Sequence, residues 1–200
     1  MVKSYLAAHW VAGALFMALA LLLLLPAGIP GGDRAVLLVY LASPIYMLHQ
    51  VEEHFGDRFR RYINQRVFGG VEALTTSDVL VVNLPGVWGI NLAALYAAHF
   101  AGAGWALVAG YLILINGISH VAMALHLRGY NPGLVTAALV FLPFGLASVV
   151  LIAGTTLQHI LGFAIALGIH AAIALRIRHQ ASVVVQKFSS PLPRDLQENF

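Results

Sequence analysis

The sequence concentrates its chemically active side chains in one stretch, His49–His54, which reads His-Gln-Val-Glu-Glu-His. Residues three or four positions apart share a face of a helix, so His49 would lie beside both Glu52 and Glu53. Adjacent residues point about 100° apart, so one carboxylate can face a metal ion while the other lies next to it. We therefore predict that His49 and Glu53 bind a metal ion and that Glu52 is the general base.

The spacing is that of an inverted zincin motif with one substitution. In the pattern H-x-x-E-H, the first and last residues bind zinc and the Glu between them accepts a proton. Here Glu53 stands where the pattern has its second His. Imidazole and carboxylate ligands suit zinc and iron, and we expect zinc, with iron as the alternative. The competing interpretation is that Glu52 and Glu53 simply end a helix among the lipid headgroups.

The composition of the whole chain indicates a membrane protein. Of its 200 residues, 60% are hydrophobic and 10% are charged, whereas soluble domains carry about 25% charged residues. The lack of cysteine excludes a disulfide framework and a thiolate ligand. We expect an all-α, polytopic membrane protein, a bundle of six transmembrane helices. Six apolar segments are long enough to span a bilayer, roughly 5–25, 35–55, 79–100, 105–127, 132–153 and 156–177.

The distribution of Lys and Arg predicts the orientation of the bundle. With a cytoplasmic N-terminus, ten of the eleven basic residues fall in cytoplasmic segments and only Arg34 lies outside. Both termini are therefore expected in the cytoplasm. The positive charge reports this topology, so we expect the lipid bilayer as a partner and no nucleic acid.

Two segments at the cytoplasmic side are expected to lie outside the spans. Asp57–Gly70 combines apolar residues at helical spacing with arginines, which predicts a short interfacial helix. Residues 1–180 are expected to form one transmembrane domain, and residues 181–200 a poorly ordered cytoplasmic tail.

Depth in the membrane selects further candidates for the site. At a rise of about 1.5 Å per residue, His120 and His170 lie at nearly the same level as His49 and Glu53. We predict that both complete the ligand set, with the donor atom of His120 about 3–4 Å from those of His49 and Glu53. Polar residues at nearby levels or in the adjoining turn are expected to support the ligands or contact a substrate, and they are His9, His54, Asn116, His126, Tyr130 and Asn131.

This donor set is compatible with several functions. Three protein ligands and an open position are typical of catalytic zinc, which favours an enzyme that hydrolyses an ester or amide in a lipid-like substrate. A di-iron oxidoreductase fits less well, because only Glu52 and Glu53 would supply carboxylates. Intramembrane Glu and His also line proton and ion pathways. A transporter and a structural membrane protein with a polar or metal core are therefore the alternatives, and the oligomeric state stays open.

The His49–Glu53 pattern resembles the motif of the HXXEE family of small, multi-spanning, mostly bacterial membrane proteins. The resemblance extends to Asn116-x-x-x-His120 and to the turn Tyr130-Asn131-Pro132-Gly133. It implies a location in the bacterial cytoplasmic membrane and covers most of the chain apart from the tail. It implies no particular reaction, so the chemistry expected above depends on the residues themselves.

Overall fold

The computed structural model describes residues 2–28 and 33–189. The α-helices of this described part are α1 Val2–Gly28, α2 Arg34–His54, α3 Arg58–Tyr62, α4 Thr76–Val81, α5 Gly89–Ala101, α6 Leu107–Leu127, α7 Leu134–Thr136, α8 Leu142–Leu151 and α9 Thr156–Ser189. No strand occurs among these residues.

Two π-helical segments join short helices into longer ones. Val82–Trp88 connects α4 to α5, and Ala137–Phe141 connects α7 to α8. Pro85 lies in the first segment, where its missing N–H removes one helical hydrogen bond. Such π-helical segments are frequent at functional sites, and both of these lie on helices that also carry polar residues of the site.

Among the described residues, six helices are long and apolar enough to cross a membrane, which confirms the predicted fold class. They are Tyr5–Pro26, Arg34–Val67, Thr76–Ala101, Ala103–Leu127, Leu134–Leu151 and Thr156–Phe188. Many large apolar side chains point outward from the bundle, among them Phe16, Leu23, Phe100 and Leu139. An apolar outer surface is what a bilayer solvates, whereas large contiguous apolar patches are rare on soluble monomers.

The last helix is longer than the sequence predicts. α9 continues to Ser189, so residues 181–189 of the expected tail are helical. The reason is that the sequence has neither glycine nor proline between Gly168 and Pro191. The remainder of the expected tail, residues 190–200, lies outside the described residues.

A sharp turn at the end of α2 places α3, the expected interfacial helix. Gly56 and Asp57 both adopt left-handed conformations, with φ of 66° and 61°. The Arg58 guanidinium then donates to the carbonyls of Phe55 (3.0 Å) and Glu52 (2.5 Å), which otherwise lack partners at the helix end. We call this end of the bundle, where α2 and α6 finish and α3 lies, the basic end.

α2 and α6 are the central helices of the bundle. α1 and α5 pack against α2, while α8 and α9 pack against α6, and α2 and α6 also contact each other. The core between them is apolar, and its largest fully buried side chains include Phe141, Leu107, Leu112, Ile113 and Ile152. Polar groups on the facing sides of α2 and α6 are therefore held away from both water and lipid.

Candidate metal site

Three buried side chains from the two central helices meet at the basic end: His49 and Glu53 from α2, and His120 from α6. Nε2 of His49 lies 3.5 Å from Oε2 of Glu53, and Nε2 of His120 lies 3.5 Å from Oε1 of Glu53. One ligand atom from each residue lies within 4.8 Å of the other two. The residues are 0%, 6% and 3% exposed, respectively. These three residues, called the triad below, could hold a metal ion.

His49 is oriented through its other ring nitrogen. Nδ1 lies 2.7 Å from the hydroxyl oxygen of Thr136, and that hydroxyl donates to the Glu52 carboxylate over 2.5 Å. Because the hydroxyl proton is directed to Glu52, the hydroxyl oxygen accepts from His49, and the ring carries its proton on Nδ1. Nε2 then presents a lone pair to the triad, and it has no hydrogen-bond partner among the described residues.

His120 is oriented in the same way by Asn131, which is fully buried. The amide nitrogen of Asn131 donates to the His120 carbonyl over 2.9 Å, and its amide oxygen lies 2.7 Å from Nδ1 of His120. An amide oxygen only accepts, so His120 also carries its proton on Nδ1. Metal-binding histidines are commonly fixed by this kind of hydrogen bond from the nitrogen that does not bind the metal.

With neutral rings, both histidines therefore turn an Nε2 lone pair toward the Glu53 carboxylate. Among the described residues, Nε2 of His49 has no hydrogen-bond partner. A buried polar atom without a hydrogen bond costs about 1–3 kcal/mol. A cation between the three groups satisfies all of them, and two imidazoles with one carboxylate suit zinc or iron.

Gly133 lets the next segment of chain approach both imidazole rings. It adopts a left-handed conformation with φ of 95°. A Cβ atom at this position would lie only 2.8 Å from Cε1 of His49 and 2.8 Å from Cε1 of His120. Any side chain here would push the two rings apart, so glycine is required for the geometry of the triad.

The Glu52 carboxylate accepts four hydrogen bonds. The Tyr130 hydroxyl (3.0 Å) and the Val135 N–H (3.1 Å) donate to Oε1. The N–H (2.7 Å) and hydroxyl of Thr136 donate to Oε2. Partial burial and the adjacent Glu52 carboxylate raise the pKa of the Tyr130 hydroxyl, so it stays protonated and donates at neutral pH. Glu52 thus fastens the start of α7 to the end of α2, and its role as general base stays a prediction.

A second buried polar cluster adjoins the triad. The Trp88 indole donates to the Gln50 amide oxygen over 2.9 Å, and the Gln50 amide donates to the Asn83 oxygen over 2.8 Å. Asn83 in turn donates to the Val79 carbonyl and lies 3.2 Å from Nε2 of His54. We call Gln50, Asn83 and Trp88 the Gln50 network. His54 connects it to the triad, because its Nε2 also lies 3.0 Å from the Glu53 carboxylate.

A cavity of 620 Å³ borders the triad, and Glu53, His54 and His120 form part of its wall. Asn116 also lines it and donates to the Tyr46 hydroxyl over 3.0 Å. The cavity brings a substrate-sized space directly to two of the three triad residues. Asn116, predicted as a supporting residue, therefore lies where it can contact a substrate.

His170 lines the same cavity but does not join the triad. Its Nδ1 lies 2.8 Å from the carbonyl of Ala166 on the same helix. This hydrogen bond turns the ring back along α9, toward the helix N-terminus. The structure thus leaves His170 beside the site, and not among the three ligand atoms that meet.

Two further predicted residues lie away from the triad. His9 is exposed and its ring packs on Tyr5, with centroids 4.6 Å apart. The residue of α1 that reaches the site is the next one, Trp10, whose ring lies 5.0 Å from that of His54. Neighbouring residues on a helix point about 100° apart. Their depths in the membrane are similar, so depth alone does not tell which of the two faces the site. His126 is exposed in the last turn of α6.

Thr136 and Gly133 are the functional residues that the sequence did not single out. Both follow Asn131-Pro132, the turn that begins the fifth span. The sequence carries no local signal for Thr136, because its contacts with His49 and Glu52 join segments more than 80 residues apart. Gly133 is part of the turn quoted for the family resemblance, but its role depends on two rings brought in from other helices.

A family described as "protein of unknown function with HXXEE motif" matches residues 40–148, which is more than half of the chain. The chain belongs to the HXXEE family. The HXXEE match contains the whole triad together with Thr136 and Asn131, and it ends before α9. No curated protein and no solved structure matches the chain.

Proposed function

We propose that the protein binds one metal ion, zinc or iron, through His49, Glu53 and His120, and uses it to hydrolyse an ester or amide in a lipid-like substrate. One observation carries the proposal: three buried electron-pair donors converge, and both imidazoles already carry their proton on the far nitrogen. Buried polar groups in proteins are normally hydrogen-bonded, and a bound cation would give Nε2 of His49 the partner that it lacks among the described residues.

A protonated histidine explains the geometry less well. An imidazolium donating to Glu53 would be expected about 2.7–2.9 Å from the carboxylate. The two Nε2 atoms of the triad lie 3.5 Å from it instead. This separation is close to the distance between two ligand atoms that share one zinc, each about 2.0–2.2 Å from the metal.

The cavity supports a catalytic site over a purely structural one. Structural zinc is bound by four protein ligands, whereas catalytic zinc has three and keeps one position open. The triad supplies three ligands, and Glu53 and His120 both face the cavity. A substrate or water in the cavity therefore reaches the side of the site on which the fourth position would open.

The reaction that fits this arrangement is hydrolysis. A bound zinc ion lowers the pKa of a coordinated water and polarises a carbonyl group. The water oxygen adds to the carbonyl carbon, the C–O or C–N bond breaks, and the leaving group takes up the proton from the water. Thr136 and Asn131 keep the ligand nitrogens aimed at the metal during this step. Glu52 is the predicted proton acceptor, in addition to holding Thr136.

An apolar barrier beside the triad favours an enzyme over a transporter. The Phe141 ring is fully buried and packs on His49 with centroids 4.1 Å apart. Ile113 on α6 is also fully buried, and neither Ile113 nor Phe141 lines the cavity. A pathway for protons or ions would need polar groups or water at this level of the membrane.

Metal analysis of the purified protein tests the proposal. Wild-type protein in detergent, incubated with zinc and dialysed, should retain about one zinc per chain. The variants His49→Ala, Glu53→Ala and His120→Ala should each lose it, while the exposed histidine variant His126→Ala should retain it. Wild-type protein without bound metal, or retention of zinc in all three triad variants, would contradict the proposal.

A further inference from the structure

The cavity beside the triad changes character along its length. At the basic end it is lined by Asp78 and Arg178, and at the level of the triad by Glu53 and His120. The far end is apolar and is lined by Val87, Ile90 and Leu112. With a rise of about 1.5 Å per residue, Leu112 lies roughly 12 Å beyond His120 on α6. Apolar side chains such as Phe68 and Leu74 also line the basic end. The cavity is therefore apolar along its length, with charged side chains near the basic end and at the triad.

The two helical walls of the cavity are held together at the basic end. Both α9 and the long helix Thr76–Ala101 line it, but the main packing partner of α9 is α6. At the basic end, Arg176 of α9 lies 3.4 Å from Asp78 of the long helix. Between these two helices an amphiphile would enter the cavity.

The charged residues at the basic end of the cavity carry a net positive charge. Asp78 is already engaged, because it receives hydrogen bonds from Thr75 and pairs with Arg176. Arg178 lines the cavity and has no ion-pair partner among the described residues. An exposed guanidinium at the mouth of a cavity favours an anionic group.

The size of the cavity restricts the ligand. Its volume of 620 Å³ falls within the range of roughly 300–1,000 Å³ for pockets that hold one drug-sized ligand. A volume of this size suits one acyl chain with a small head group.

We propose, on the basis of the function proposed above, that the substrate is a single-chain acyl amphiphile with an anionic head group. Its chain occupies the far end, past Leu112 and Ile90. Its ester or amide carbonyl lies beside the triad, and its head group pairs with Arg178. An extended chain advances roughly 1.2 Å per bond, because three backbone bonds span about 3.3–3.6 Å. The distance of roughly 12 Å from the triad to the far end therefore matches an acyl chain of about eight to ten carbons.

Binding in nanodiscs tests the proposal with N-acylglycines as probes, in a series from hexanoyl to hexadecanoyl. The matching N-acylglycinamides lack the negative charge and serve as uncharged probes. Competition against a fluorescent acyl probe should show an optimum near decanoyl for the wild-type protein. Ile90→Phe and Leu112→Trp fill the far end from two helices and should each move the optimum to shorter chains. Leu151→Trp, at an exposed apolar position on α8, is the control and should not move it.

The head-group contact has its own variant. Arg178→Gln should weaken binding of the N-acylglycines by about fivefold to tenfold and leave the N-acylglycinamides unchanged. Arg128→Gln, another exposed arginine at the basic end, should change neither. Equal binding of charged and uncharged probes by the wild-type protein would overturn the assignment of the head group. An optimum that stays fixed in both filled variants would overturn the position of the chain.

The binding test is independent of the metal. His49 does not line the cavity, so His49→Ala should bind the probes with the wild-type chain-length optimum while losing zinc. If that variant and the wild-type protein show the same optimum but neither retains zinc, the metal proposal fails and the cavity assignment holds. If zinc is retained and no optimum appears, the cavity assignment fails and the metal proposal holds.

Discussion

Two buried polar clusters lie side by side on α2, and they differ in how their hydrogen bonds are completed. In the Gln50 network, the donors and acceptors alternate from Trp88 through Gln50 to Asn83. In the triad, both imidazole protons point away and only lone pairs face one another. A polar cluster that only stabilises the fold satisfies its own groups. A cluster that cannot do so without an added ion is the candidate for function.

The largest effect should come from removing a ligand of the triad. Glu53→Ala takes away the carboxylate that both imidazoles face, and we expect zinc affinity to fall by more than about 100-fold. Loss of a residue that only orients a metal ligand typically lowers the metal affinity 10–100-fold, and Glu53 is itself a ligand. Competition with a zinc-sensitive dye measures the affinity. A zinc affinity within about threefold of the wild-type value would mean that the triad is an ordinary polar contact, because even the loss of a residue that only orients a ligand costs more.

Substitution of Gly133 should damage the triad without removing a ligand. In Gly133→Ala, the new Cβ would lie 2.8 Å from both imidazole rings, in addition to the backbone strain of φ at 95°. Overpacking costs about 1–3 kcal/mol, and a left-handed non-glycine residue about 1–2 kcal/mol. Thermal unfolding and zinc content should both fall. Gly69→Ala is the matched control, because its φ is 61° but nothing lies within 4 Å of the new Cβ. Equal destabilisation of the two variants would show that the close approach to the rings is unimportant.

Removal of the Thr136 hydroxyl should weaken the metal site less. Thr136→Val keeps the shape of the side chain but leaves His49 without a partner for its Nδ1 proton. We expect a 10–100-fold loss of zinc affinity, and Thr136→Ser should recover most of it because the hydroxyl returns. If valine and serine behave alike, the orientation of His49 does not depend on this hydroxyl.

The smallest effect on the metal is expected in the Gln50 network. Trp88→Phe leaves the Gln50 oxygen without its donor, which should lower the free energy of unfolding by about 1–3 kcal/mol. The zinc content should stay at the wild-type value, because no ligand or orienting group is changed. Loss of zinc from this variant would mean that the Gln50 network and the triad act as one unit and are not separate clusters.

The sequence predicted the parts of the site that depend on regular helices. A constant rise per residue places His49, Glu53 and His120 in one layer of the cytoplasmic half of the bundle, within about 6 Å of depth, and the structure brings these three together. The same depth argument selected His9 and His170, which the structure leaves out of the triad. Depth gives the level of a residue but neither the rotation of its helix nor the direction of its ring. Rotation of α1 brings Trp10 to the site in place of His9, and a hydrogen bond to the Ala166 carbonyl turns the His170 ring away.

The parts that the sequence did not predict depend on contacts between distant segments. Gly133 lies in the turn after α6 and Thr136 lies in α7, and they gain their roles only when this segment folds onto the end of α2. Glu52 lies within the motif, yet its four hydrogen bonds come from residues 78 or more positions away. No local spacing rule encodes such contacts. The length of α9, by contrast, depended on a local signal, the lack of a helix-breaking residue before Pro191.

X-ray absorption at the zinc edge of the purified, zinc-loaded protein tests the central claim most directly. We expect nitrogen and oxygen ligands about 2.0–2.1 Å from the zinc ion, with the outer-shell scattering of two imidazole rings. Glu53→Ala should lose this signal together with the bound zinc. A spectrum without imidazole scattering, or one that is identical in Glu53→Ala, would contradict metal binding by His49, Glu53 and His120.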